Sequence, residues 1–375
     1  MSARPSRKAR ERIEALFAHA DVRLDGSRPS DLQVHDERLF DRILGEATLG
    51  LGEAYMDGWW DCEQLDVMLT KVMRADIRKH IKPISLVLPV LTAKLFNLQS
   101  LPRAFQVGEQ HYDLGNDLFE LMLDRRMTYT CGYWRDAADL DAAQEAKLDL
   151  ICRKIGLKAG QRVLDIGCGW GSFAGFAAEK YGAEVHGVTV SREQGALIEE
   201  RYRDLPVKAV VKDYRELDGE YDHVVSVGMY EHVGHKNART FMEVARRSLK
   251  PGGLFLLHTI GRRKTRAHGE PWTHRYIFPN AQVPSVASIG RAIEGVFVME
   301  DLHNFGADYD HTLMAWHANF EAGWPTIQAR YGERFHRMWR YFLLTNAASF
   351  RSRQLQLWQM VLSPEGVEGV YPRVS

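Results

Sequence analysis

Only four of the 375 residues are cysteine, Cys62, Cys131, Cys152 and Cys168, and no two form a CxxC pair. That excludes a zinc knuckle and a disulfide scaffold and fits a reducing compartment. Net charge is also lacking. Lys plus Arg and Asp plus Glu both number 49, so the chain as a whole has no field to attract nucleic acid or anionic lipid, and a charged partner has to meet a local patch. No apolar run approaches the roughly 20 residues of a membrane span. The basic start MSARPSRKARERIEALF turns into a mixed-charge helical pattern without the apolar core of a signal peptide. Internal repeats and low-complexity tracts are absent. What remains is an ordinary globular composition, 45% hydrophobic and 26% charged, in a chain long enough for two domains.

Residues 1–100 read as helices joined by short turns, because EALFAHADVRL and LDVMLTKVMRADI carry apolar residues at three- and four-residue spacing. In RKHIKPISLVLPVLTAKLFN an uncharged run from Pro83 to Ala93 lies between Lys82 and Lys94 and follows Arg78, Lys79 and His80. Such a segment is either a core helix kinked at Pro89 or an interfacial helix whose cations meet anionic lipid. From about residue 145 the pattern changes. RVLDIG, AEVHGVTV, VKAVVKD, YDHVVSVG and GGLFLLHTIG are strand candidates that alternate with helical stretches, which predicts a mostly parallel sheet covered on both faces. GVFVMEDLHNFG and LQLWQMVLS add two further strands around a helical run from Asp310 to Ser349.

After RVLDI, the glycines Gly167, Gly169 and Gly171 allow a tight turn with close backbone approach to a ligand at a helix N-terminus. A dinucleotide fingerprint needs glycine at 172, where this chain has Ser172. The DxGxGxG spacing from Asp165 instead resembles the first motif of the Rossmann-like S-adenosylmethionine-dependent methyltransferases. KDYREL, with Asp213 and Tyr214, YDHVVSVGMYEHVG and LKPGGLFLLHTI follow at the places that class leads one to expect. The second strand ends in Thr189 rather than in the acid that usually holds the ribose hydroxyls, so Gln194 in GVTVSREQ becomes the ribose candidate; the alternative is a surface glutamine. His232 and His235 in EHVGH offer no third ligand, and a metal site is rejected.

YTCGYW, GMYEHVG, LLHTIG and NFGADYDHTLMAWH closely resemble the cyclopropane fatty acid synthase family, and LGLGEAYMDGWWDCEQLD and FNLQSLPRAFQVGEQHYDLGNDLFELML resemble its phospholipid-acting branch. The resemblance covers nearly the whole chain. It implies a Rossmann-like methyltransferase domain, residues 101–375, with a seven-stranded mostly parallel sheet, preceded by an α-helical lipid-contacting domain, residues 1–100. It further implies methylene transfer from S-adenosylmethionine to the cis double bond of a phospholipid acyl chain, with bound bicarbonate taking a proton from the carbocation. The bicarbonate ligands carried over are Cys131, Glu231, His258, the Ile260 backbone and Tyr309. Cofactor contacts fall on Tyr129, Thr130, Asp165, Gly167, Gly169, Gly171, Thr189, Ser191, Gln194, Asp213 and Tyr214. Taken singly, Glu231 also reads as a helix cap and His258 as a satisfied core histidine. Tyr133, Trp134, Tyr230, Trp272, Tyr276 and Phe278 are aromatic candidates for facing the cation. The expected setting is cytoplasmic, at the inner face of a membrane, with no nucleic-acid partner and with a homodimer left open. The rival readings are a methyl-branching lipid methyltransferase and a non-catalytic lipid sensor.

Overall fold

All seven expected strands form: β1 (Arg162–Ile166), β2 (Glu184–Thr189), β3 (Val207–Val211), β4 (Tyr221–Val227), β5 (Leu249–Arg262), β6 (Val298–Asn304) and β7 (Leu355–Ser363). They appear in a computed structural model that describes residues 7–77, 115–266 and 269–375. The sheet order is β3-β2-β1-β4-β5-β7-β6. β3-β2-β1-β4-β5 pair in parallel, and β6 and β7 pair antiparallel. The central strands β1, β4, β5 and β7 alternate their apolar side chains between two cores, as a sheet covered on both faces requires. Leu164, Val224, Phe255 and Met360 enter one core with Phe241 and Ile289. Their neighbours Val163, Val225, Leu256 and Val361 enter the other with Leu148, Ile151, Phe173 and Phe176.

The chain divides into two compact units, one of Met1–Phe96, Ala267–Pro279 and Leu313–Leu355, the other of Asn97–Arg266, Asn280–Thr312 and Gln356–Ser375. The first unit is helical and discontinuous in sequence, where the sequence reading expects one cut near residue 100. Its helix Glu333–Arg351 is tied to N-terminal residues: Arg337 donates to the Tyr55 and Trp60 carbonyls at 2.6 and 3.0 Å and to Asp61 at 2.8 Å. In the buried helix Thr48–Met56, a side chain on Gly52 would lie 2.5 Å from the Trp272 ring, so glycine there permits the close packing. The expected helical run from Asp310 is two helices, Asp308–Tyr331 and Glu333–Arg351, separated at Gly332, whose φ of 77° suits glycine. The segment at residues 78–96 lies outside the described residues.

Candidate active site

The second unit contains every residue singled out for cofactor or anion. Asp165, Thr189, Glu231 and His258 lie at or just after the carboxyl ends of β1, β2, β4 and β5, where open α/β sheets place their ligands. At the end of β1, Asp165 is 2% exposed and its Oδ1 has no hydrogen-bond partner among the described residues. Burial pushes its carboxyl up to about 7, with Lys147 pulling the other way. The turn that follows is pinned to β2 by the Gly167 and Cys168 amides, which donate to the Val188 carbonyl at 2.9 and 3.0 Å. The three glycines do different work. A Cβ on Gly167 would strike Met229 at 2.4 Å, and one on Gly171 would press on Ile198 and Tyr202 at 3.0 Å. One on Gly169 meets nothing within 4 Å, although its φ of +54° still favours glycine. Gly169 is thus the position open to a ligand.

At the end of β2, Thr189 donates to Gln194 Oε1 at 2.7 Å and accepts from the Ser191 amide at 3.1 Å, while the Ser191 hydroxyl caps the helix Arg192–Arg201 by accepting from the Gln194 amide at 3.2 Å. Gln194 is 4% exposed and its Nε2 has no partner among the described residues. The surface-glutamine alternative fails: a buried amide donor is held ready by its own carbonyl. The other two cofactor candidates are differently placed. Asp213 is gripped by Arg215, through Nε to Oδ1 and a terminal nitrogen to Oδ2, both at 2.8 Å. Tyr214 turns into the core against Phe241, 5.3 Å between centroids.

The anion candidates lie on four elements: Cys131 in the segment before the helix Leu140–Lys154, Glu231 after β4, His258 and Ile260 on β5, and Tyr309 in the helix Asp308–Tyr331. Glu231, in the short helix Tyr230–Val233 after β4, accepts the Ile260 amide on Oε1 at 2.6 Å, while its buried Oε2 has no partner among the described residues. It therefore does not act as a helix cap. Burial raises its carboxyl to about 7, against the hydrogen bond from Ile260. His258 on β5 shares a 3.3 Å hydrogen bond through Nδ1 with Gln359 of β7, and its buried Nε2 is unpartnered among the described residues. It is not a satisfied core histidine. Burial, helped by Lys147 and Lys154, holds it neutral, well below the ordinary histidine value. With Nδ1 accepting from the Gln359 amide, Nε2 carries the proton and is a donor. The orienting partner of His258 is thus Gln359. Burial pushes the Tyr309 phenol well above its usual value, and neighbouring Cys131, Glu231 and Tyr129 push it the same way. Cys131 is fully buried, its thiol held protonated by burial and placed 3.1 Å from the Gly132 carbonyl.

The segment bearing Tyr129, Thr130 and Cys131 is held by residues that the sequence reading missed. Gln144 and Lys147, on the helix Leu140–Lys154, donate to the Thr130 carbonyl at 2.7 Å and to its hydroxyl at 2.8 Å. Thr312 accepts from the Gly132 amide at 3.1 Å and from the Trp134 indole at 2.9 Å. Tyr129 packs edge-on against Phe119, 5.2 Å away, which in turn packs on Trp170. Of the aromatic candidates, Tyr230 is core and Trp272, Tyr276 and Phe278 belong to the helical unit. Tyr133 packs on Phe305, and it is Phe305 that meets the His258 ring, 5.8 Å away. A signal for one of the missed residues was present: Gln359 is a polar residue within an otherwise apolar buried stretch, WQMVL, whereas Lys147 lies in a helix of mixed charge.

Comparison with known proteins agrees with this geometry. The family model "Mycolic acid cyclopropane synthetase" matches residues 99–360. The cyclopropane-fatty-acyl-phospholipid synthase of Escherichia coli (strain K12) is 52% identical over 357 residues, covering 94% of this chain and 92% of that protein. A tuberculostearic acid methyltransferase of Mycobacterium tuberculosis is 32% identical over 371 residues, covering 90% of this chain and 84% of its own. A mycolic acid cyclopropane synthase solved in complex with SAH and CTAB superposes with a TM-score of 0.64 at 30% identity, over 69% of this chain and 97% of that one. The sheet order, the glycine turn and these matches lead to one assignment: the chain belongs to the mycolic acid cyclopropane synthetase family and is an S-adenosylmethionine-dependent methyltransferase.

Proposed function

We propose that the enzyme transfers a methylene group from S-adenosylmethionine to the cis double bond of an unsaturated acyl chain in a membrane phospholipid, forming a cyclopropane ring. The observation that carries this reading is the 52% identity to the Escherichia coli synthase across 94% of the chain. The site residues support it. Asp165 Oδ1 suits the cofactor's ammonium, Gln194 Nε2 its ribose hydroxyls, and the space over Gly169 its close approach. The cofactor supplies a methyl group on a sulfonium sulfur. An alkene is a weak nucleophile, so the chain's own contribution is alignment and exclusion of water. Transfer to one alkene carbon breaks the sulfur–carbon bond and leaves a cation on the other; loss of a proton from the new methyl closes the ring.

The residues around Glu231 fit bicarbonate, which when bound supplies the base. Glu231 Oε2 accepts its hydroxyl, and His258 Nε2 and the Tyr309 hydroxyl donate to its oxygens. The Ile260 amide, engaged by Glu231 at 2.6 Å, acts by fixing that carboxylate. Asp213, its carboxylate already held by Arg215, serves the cofactor site by setting the turn after β3. The N-terminal helical part is assigned the contact with lipid at the membrane surface. No helix among the described residues is long and apolar enough to cross a bilayer. The test is incubation with S-adenosylmethionine and vesicles of unsaturated phospholipid, followed by mass measurement of the acyl chains. Acyl chains one CH2 heavier and resistant to oxidative cleavage establish the ring; a cleavable or branched product assigns the enzyme to methyl branching instead. Turnover undiminished in bicarbonate-depleted buffer refutes the anion's role.

A further inference from the structure

We infer that Lys147 is a positioning residue of the cofactor site, holding the segment that carries Tyr129, Thr130 and Cys131 and supplying a buried positive charge to the site that Asp165 belongs to. The inference rests on the proposal that Asp165 receives the cofactor's ammonium. Lys147 sits in the helix Leu140–Lys154 with its side chain fully buried, which is rare for lysine, and no acid pairs with it among the described residues. Its hydrogen bond among the described residues is to Thr130 Oγ1, at 2.8 Å. On the other side of Thr130 its methyl packs on the turn after β4, since a Cβ on Gly228 would lie 2.6 Å from it. The ammonium thus fixes Thr130 between the helix and the end of β4. Gln144, one turn earlier on the same helix face, holds the Thr130 carbonyl at 2.7 Å.

The charge has a second effect. The groups that interact with Lys147 come from four elements: Asp124 before the 128–134 segment, Cys131 within it, Asp165 at the end of β1, and His258 on β5. Asp124 is already satisfied by the Thr128 amide at 2.7 Å and the Arg126 amide at 3.0 Å. Asp165 has no such support, with Oδ1 unpartnered among the described residues and the Cys168 thiol, raised in part by its charge, nearby. Lys147 is the positive group that favours its ionised form, and burial lowers Lys147 itself to about 8, so this support fades toward the alkaline end. The same charge disfavours protonation of His258, which keeps that ring a neutral donor.

The experiment measures S-adenosylhomocysteine affinity by calorimetry between about pH 6 and about pH 8.5 for wild type, Lys147→Met and Asp165→Asn. In wild type the affinity falls as Asp165 takes up a proton. Without Lys147 the midpoint of that fall moves up by about one pH unit, so Lys147→Met binds about fivefold more weakly near pH 7, about tenfold more weakly near pH 6, and regains most of the loss at the alkaline end. A Lys147→Met profile with the wild-type midpoint overturns the inference, whatever the absolute affinity. If Lys147→Met does not fold, Lys147→Gln carries the same test, and failure of both to fold also overturns it, since the residue is then a determinant of the fold. Undiminished binding by Asp165→Asn refutes the cofactor reading itself. Loss in Asp165→Asn with an unmoved Lys147→Met midpoint refutes only the role of Lys147.

Discussion

A buried polar atom without a partner is a cost that a folded chain ordinarily avoids, and here such atoms mark both halves of the site: Asp165 Oδ1 and Gln194 Nε2 on the cofactor side, Glu231 Oε2 and His258 Nε2 on the anion side. Gln194→Ala is expected to weaken S-adenosylhomocysteine binding by about 1–2 kcal/mol, the scale of one buried hydrogen bond. Calorimetric titration checks this, and undiminished affinity removes Gln194 from the site. Glu231→Gln keeps the acceptor for the Ile260 amide and removes the charge, so turnover should fall steeply while cofactor affinity holds. Stability should move the other way. The folded carboxyl is raised to about 7 from an ordinary value of 4.5, so its burial costs nothing well below the lower value and its full amount above the upper one. Glu231→Gln therefore melts higher than wild type at alkaline pH, by a gain of about 1–2 kcal/mol, and the gain disappears as the pH falls through that window. Melting curves of the two proteins at several pH values measure it.

At the scale of elements, the glycine turn separates folding from binding. All three glycines have positive φ, +83°, +54° and +80°; Gly167 and Gly171 are required also by packing against Met229, Ile198 and Tyr202, whereas Gly169 has open space in front of it. Gly169→Ala should cost about 1 kcal/mol of stability for the left-handed conformation and more than about tenfold in cofactor affinity. Gly167→Ala should lower the melting temperature more. Equal affinity in a folded Gly169→Ala protein contradicts the placement of the cofactor. The motif's glycines were visible in the sequence, but their division of labour was not, because it depends on Met229 and Tyr202, distant in sequence. The strands were legible for a simpler reason. Strands buried on both faces read as short apolar runs bounded by turn residues, and β1, β4, β5 and β7 have that form, whereas the edge strands β3 and β6 are only partly buried.

For the molecule as a whole, the discontinuous helical unit has a consequence for truncation. A chain beginning at residue 101 lacks Tyr55, Trp60, Asp61 and Asp66, on which Arg337 and Arg351 of the helix Glu333–Arg351 depend. It also exposes apolar residues of that helix, Trp339, Phe342 and Leu343, which are buried in the full chain. Such a truncation is expected to aggregate or to lose helical signal in circular dichroism beyond the residues removed; a soluble truncation with that helix intact would show that the helix stands without its N-terminal partners. The sequence alone determined the strands, the glycine turn, the preference for S-adenosylmethionine over a dinucleotide and the family, because these depend on local periodicity and on short motifs. Tertiary structure decided which polar groups are spent and which remain available. The Ile260 amide goes to Glu231 across 29 residues and His258 is oriented by Gln359 across 101. The Lys147 ammonium goes to the Thr130 hydroxyl across 17 residues. Such pairings follow from strand register and from which helix face meets the sheet, and these emerge only when both cores close.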